Sequence, residues 1–128
     1  MVQTGKPIMV VEDDPAVRQL IGEILRDAGH EVVECSSGEE ALGCIDLVRP
    51  ALITLDLAMP YMDGITFLRT LKKLPGLENT PVIFVTAAPE SLRKAILSEE
   101  HVTISKPFFI DQLLHEVGRA IGLDQAVA

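Results

Sequence analysis

Ile8-Met9-Val10-Val11-Glu12-Asp13-Asp14-Pro15 is the stretch that decides the fold. Its four apolar residues, three of them β-branched, make a strand with no polar face, as strands have when helices cover a parallel sheet on both sides. Three acids come next, and Pro15 suits the first turn of a helix. Val17, Leu20, Ile21, Ile24, Leu25 and Ala28 then recur at helical spacing as far as Gly29, which suits the stop. The pattern repeats outward. Val32–Cys35, Ala51–Leu55, Val82–Val85 and Val102–Ile104 are four more short segments rich in β-branched residues. Between them, Ser37-Gly38-Glu39-Glu40 reads as a capped start for a helix through Ala41, Leu42, Ile45 and Val48, which Pro50 stops from continuing. Asp63-Gly64 opens a helix with Ile65, Phe67, Leu68 and Leu71 on its inner side, ended by Pro75-Gly76. Pro89 to Glu100 allows a short helix through Leu92, Ala95, Ile96 and Glu99. Leu113, Leu114, Val117, Ala120 and Ile121 form one stripe on a last helix from Ile110 to Ile121, with Asp111 near its start and Gly122 at its end. Five β-α units in succession predict a doubly wound α/β sheet, because parallel neighbours need right-handed helical crossovers.

The 128 residues and 13.9 kDa suit one domain, with 48% apolar and 23% charged residues as in ordinary globular chains. No apolar run approaches the roughly 18 residues that span a bilayer. Met1 to Pro7 lacks the basic region and long apolar stretch of a secretory signal, so the cytoplasm is the default compartment. Nineteen acids against eleven bases give a net charge of -8 and a pI near 4.7, opposite to the footprint of a phosphate-backbone binder. Direct contact with nucleic acid is not expected. Cys35 and Cys44 form no CxxC and read as reduced, packed thiols. His30, His101 and His115 have no ligand spacing, so surface or structural roles are expected of them. Met59 and Met62 read as local packing, and Phe108 and Phe109 as core or partner surface. With no Trp and one Tyr, the chain is poor in stacking platforms for bases or a flavin ring.

In an open α/β sheet the ligand crevice lies beyond the carboxyl ends of the strands. The residues directly after each strand are therefore decisive. Glu12-Asp13-Asp14 stand after the first, Asp56 after the third, Thr86 after the fourth and Ser105-Lys106 after the fifth. A nucleotide fold would place a Gly-rich turn after the first strand, whereas this turn is anionic and repels phosphate. Clustered carboxylates raise one another's pKa unless a cation joins them, and magnesium fits because it takes oxygen ligands, one or two carboxylates and a phosphoryl oxygen. Lys106 could neutralise that phosphoryl group, Thr86 could donate a hydrogen bond to it, and Asp56 could carry it as an acyl phosphate. Asp14 is better read as a helix cap than as a ligand.

Val10-Val11-Glu12-Asp13-Asp14-Pro15, Leu55-Asp56-Leu57-Ala58-Met59-Pro60 with Met62-Asp63-Gly64, Val85-Thr86-Ala87 and Ser105-Lys106-Pro107-Phe108 together resemble the receiver domain of two-component response regulators. The resemblance covers about Pro7 to Ile121 and places the domain at residues 7–122, with short tails at 1–6 and 123–128. It implies a flavodoxin-like fold: a five-stranded parallel sheet of order 2-1-3-4-5 with helices on both faces. It further implies that Asp56 is the phosphoacceptor, that Asp13 and Asp56 bind Mg2+ directly, that Glu12 does so through water, and that the Ala58 carbonyl is a further ligand. Thr86 is similar to the family's switch hydroxyl, and Lys106 to its phosphate-pairing lysine, whose bond to Pro107 is typically cis. The implied partners are a sensor histidine kinase or a histidine phosphotransfer protein and a downstream protein target. The implied role is a signalling switch in a two-component system or phosphorelay, with no metabolic activity.

Two rivals keep the fold and change the function. One is a phosphorylation-independent interaction domain, and the other a small enzyme such as a metal-dependent phosphatase or a flavin protein. Four positions depart from the family pattern: Glu12 stands where Asp is frequent, Ala58 and Ala88 where polar side chains are frequent, and Thr103 where an aromatic is common. The segment before Thr103 also lacks the usual Gly-Ala pair and is shortened, which predicts an atypical output face.

Overall fold

The computed structural model describes residues 5–98 and 101–122. The tails at 1–4 and 123–128, and the end of the short-helix segment at Glu99 and Glu100, lie outside the described residues. The elements run β1 (Ile8–Val11), α1 (Pro15–Asp27), β2 (Val32–Cys35), α2 (Gly38–Val48), β3 (Leu52–Leu55), α3 (Gly64–Lys72), β4 (Val82–Thr86), α4 (Glu90–Ile96), β5 (Val102–Ser105) and α5 (Ile110–Ala120). All strand pairs are parallel, in the order β2-β1-β3-β4-β5, which is the expected 2-1-3-4-5 sheet.

Alternation along the central strands divides the core in two. Met9, Val11, Ile53, Leu55 and Phe84 pack on one face with Ala41 and Ile45 of α2 and with Phe67, Leu68 and Leu71 of α3. Ile8, Val10, Leu52, Ile83, Val85 and Ile104 pack on the other with Ile21, Ile24 and Leu25 of α1 and with Leu113 and Val117 of α5. β1 and β3 are buried throughout, while the edge strands β2 and β5 are only partly so.

The expected caps form. Asp14 accepts from the N–H groups of Ala16 and Val17, Ser37 from Glu40, and Asp63 from Thr66. Arg49 ends α2 in the left-handed region, at φ 47°. Cys35 is buried and Cys44 packs beside it, neither of them in a disulfide. Met59 and Met62 pack into the α2–α3 core, and Phe108 into the α1–α5 core, whereas Phe109 is exposed.

Several boundaries and faces differ from the sequence reading. Ala51 precedes β3, while Thr86 and Ser105 are the last residues of β4 and β5, because their pairing with each other extends that ladder by one register. α3 stops at Lys72, short of Pro75, and α5 at Ala120, short of Ile121. On α1, Leu20 faces solvent although it keeps the stripe's spacing. The largest departure is α4, which buries none of its residues and leaves Leu92, Ala95 and Ile96 exposed.

Candidate metal centre

The parallel register brings the carboxyl ends of β1, β3, β4 and β5 to one edge of the sheet, and each delivers a side chain there. The Glu12 N–H donates to the Cys35 carbonyl at 3.0 Å and the Asp56 N–H to the Val11 carbonyl at 3.2 Å, so both acids extend ladders of the sheet itself. The Lys106 N–H does the same for the Thr86 carbonyl at 2.9 Å. The site therefore stands on strand ends. Beneath it, Gly64 opens α3 against the loop after β3. Its N–H donates to the Leu57 carbonyl at 3.0 Å, and a Cβ there would stand 2.5 Å from the Asp56 carbonyl oxygen.

Carboxylate oxygens of Glu12, Asp13 and Asp56 lie within 4.8 Å of one another. Glu12 and Asp56 are buried and Asp13 is exposed, so the cluster is sunk at one end and open to solvent at the other. Lys106 Nζ bridges the buried pair, 2.6 Å from Glu12 Oε1 and 3.0 Å from Asp56 Oδ2. Asp56 Oδ1 accepts from the Ala58 N–H at 3.2 Å, and Glu12 Oε2 from the Asp14 N–H at 3.2 Å. Burial lifts the Glu12 carboxyl from 4.5 to about 7, and the negative charge of Asp56 adds to this, against hydrogen bonds from Lys106 and the Asp14 N–H. For Lys106, burial disfavours the ammonium, but the hydrogen bonds and charges of Glu12 and Asp56 outweigh it and hold its pKa above the ordinary lysine value.

One ammonium thus bridges two of three clustered carboxylates. An all-oxygen donor set, with one acid open to solvent, suits a hard divalent cation that keeps several of its waters, which is the chemistry of Mg2+. Thr86 is fully buried at the end of β4, and its Oγ1 accepts from the Ala88 N–H at 3.2 Å, leaving the hydroxyl proton available to donate. Ala58 is exposed on the loop after β3. The Lys106–Pro107 peptide is cis. His30, His101 and His115 take no part in the cluster. His101 instead packs edge-on against Phe84, at 5.7 Å between ring centroids.

The sequence reading missed Arg18. Its Nη1 donates to the Glu12 carbonyl at 3.0 Å, and its Nε stands 3.8 Å from Glu34 Oε1. The only trace in the sequence is a cation four residues beyond the capping Asp14, and nothing in spacing says which way so long a side chain reaches.

The response regulator receiver domain model matches residues 8–118. Sporulation initiation phosphotransferase F of Bacillus subtilis is 32% identical over 123 residues, covering 93% of this chain and 96% of that protein. Protein-glutamate methylesterase/protein-glutamine glutaminase 3 of Hahella chejuensis is 41% identical over 83 residues, which is 63% of this chain but only 23% of that protein's length. Among solved structures, response regulator protein TrrA of Thermotoga maritima in complex with Mg2+-BeF superposes with a TM-score of 0.78 at 30% identity, covering 90% of this chain and 98% of that one.

Proposed function

The chain belongs to the response regulator receiver domain family, and from that premise we propose that it is a phosphoacceptor switch that takes a phosphoryl group onto Asp56 from a phosphohistidine, in the presence of Mg2+, and thereby changes what it binds. The observation that carries this reading is the convergence of the Glu12, Asp13 and Asp56 oxygens within 4.8 Å, with Lys106 3.0 Å from Asp56. Asp13 and Asp56 would hold the cation directly, the Ala58 carbonyl would join them, and Glu12 would act through water. Bound Mg2+ would supply the positive charge that offsets the carboxylates and the incoming phosphoryl oxygens.

A carboxylate oxygen of Asp56 attacks phosphorus, the P–N bond to the donor imidazole breaks, and the imidazole leaves with the electron pair. Burial of Asp56 and Glu12 strengthens each polar contact in this step, since little water competes. Lys106 exchanges part of its bonding to the carboxylates for a phosphoryl oxygen. Thr86 donates its free hydroxyl proton to another, a charge-assisted bond worth roughly 1.5–3 kcal/mol, enough to shift a two-state equilibrium about 10- to 100-fold. The donor protein would dock beside the site. There Val17, Leu20, Ala87, Lys106, Pro107 and Phe108 line an apolar groove of about 380 Å³, and Phe109 and Ile110, next along the chain, are exposed. No described helix is long and apolar enough to cross a membrane.

Acetyl phosphate with MgCl2 tests the reading, with intact mass as the readout. One added phosphoryl group is expected on the wild type and none on Asp56→Asn. Retention of the mass shift in that variant would remove Asp56 as the acceptor. An unmodified wild type that nevertheless captures a partner would favour a phosphorylation-independent interaction domain.

A further inference from the structure

We propose that Arg18 is a positioning residue for the metal centre, acting on Asp13 through the peptide group that joins Glu12 to Asp13. The inference rests on the metal-dependent phosphoacceptor reading. Arg18 Nη1 donates to the Glu12 carbonyl oxygen at 3.0 Å. That oxygen belongs to the Glu12–Asp13 peptide group, which is planar, so holding it fixes the direction in which the chain leaves for the Asp13 Cα. Glu12 has other anchors: its N–H bonds to Cys35, and its carboxylate is held by Lys106 and the Asp14 N–H. Asp13 is the exposed member of the trio, so its aim toward Glu12 and Asp56 depends more on its backbone than on packing.

The guanidinium is itself held in place. Arg18 keeps only 18% of its side chain exposed, and its Nε faces Glu34 Oε1 at 3.8 Å. The other Glu34 oxygen, Oε2, takes Arg26 Nη1 at 2.8 Å. Glu34 reaches these partners from β2 because α1 carries Gly22 beneath it, where a Cβ would stand 2.5 Å from Glu34 Oε2. A chain of contacts therefore runs from β2 through Glu34 and Arg18 to the loop that carries two of the three acids.

A cation near a metal site also repels the metal, which would give Arg18 the opposite effect. Two observations decide against that. The guanidinium meets the cluster at a backbone carbonyl rather than at a carboxylate, and its Nε side faces Glu34, which offsets part of its charge while also pairing with Arg26. Orientation is then the larger effect. Lysine would not replace arginine fully, because a single ammonium lacks the planar fork that serves the carbonyl and Glu34 together.

Isothermal calorimetry with MgCl2 on the full chain, with melting temperature recorded separately, tests the proposal. Arg18→Ala is expected to weaken Mg2+ binding about 5- to 20-fold, and Arg18→Lys to recover part of that loss. Arg26→Ala removes another arm of the same ion cluster without touching the Glu12 carbonyl, and is expected to keep wild-type affinity. Wild-type affinity in Arg18→Ala, or an equal loss in Arg26→Ala, overturns the positioning role. If Arg18→Ala does not fold, Arg18→Lys decides, and wild-type affinity there overturns it. A wild type that binds Mg2+ and loses it in Asp13→Ala, beside an unaffected Arg18→Ala, discards the positioning role and leaves the metal site standing. A wild type with no Mg2+ binding discards both.

Discussion

Thr54 sits in the middle of β3, fully buried, with an Oγ1 that has no hydrogen-bond partner. Strand alternation places it on the side of Leu52, facing the α1–α5 core of Ile21, Leu25, Leu113 and Val117. A buried hydroxyl without a partner costs its desolvation and gains nothing in return. Thr54→Val keeps the shape and removes the polar atom, so it is expected to stabilise the fold by about 1 kcal/mol. Urea denaturation monitored by circular dichroism measures this, and a destabilised variant would mean that the hydroxyl has a partner in solution. The residues of the candidate site obey the opposite logic: Glu12 and Asp56 are also buried but have Lys106 and backbone N–H groups as partners. Glu12, Asp13, Asp56 and Lys106 were legible in the sequence because each lies just past the end of a strand, where parallel register forces convergence. The Arg18 contact and the orphaned Thr54 hydroxyl were not, since both depend on where a side chain ends in three dimensions.

Element by element, legibility tracked burial. α1 and α5 were read from one apolar stripe each, and those stripes pack against the sheet through Ile21, Ile24, Leu25, Leu113 and Val117. α4 showed a similar stripe and does not use it: Leu92, Ala95 and Ile96 remain exposed, so periodicity there marked a helix but not a face. Seven residues with no side-chain cap at Pro89 make little helix on their own. What holds α4 is thin. Arg93 Nη1 donates to Ser105 Oγ at 3.0 Å, and the Glu90–Lys94 pair at 3.0 Å is exposed on both sides, so water and salt screen it and it adds little. Helices that bury few apolar groups open locally before the rest of a domain. Amide hydrogen exchange is therefore expected to be faster in α4 than in α1, α2, α3 or α5, and protection equal to that of α1 would refute this account. α4 begins four residues after Thr86, and Thr103 lines a pocket with its Glu90, Arg93 and Lys94.

For the molecule as a whole, the charge of -8 means that compaction works against its own field. Part of that field is concentrated in one place, where three carboxylates cluster and a single ammonium bridges two of them. Added salt relieves the general repulsion by screening, with a Debye length of about 10 Å at 0.1 M, but it screens buried groups such as Glu12 and Asp56 much less. A cation bound within the cluster relieves the local term directly and favours the folded state alone, because the three acids meet only there. These effects separate at matched ionic strength: NaCl should raise the melting temperature a little, and MgCl2 should raise it further, by an amount that grows with the logarithm of its concentration above the dissociation constant. At tenfold excess over its dissociation constant, Mg2+ contributes roughly 1.4 kcal/mol, which for a chain of this size corresponds to about 5 °C. In Asp13→Ala the two salts should act alike, since the open corner of the cluster is gone while Lys106 still bridges Glu12 and Asp56. Equal effects of the two salts on the wild type would mean that Lys106 alone satisfies the acids, and an excess Mg2+ effect persisting in Asp13→Ala would place the ion elsewhere on the acidic surface.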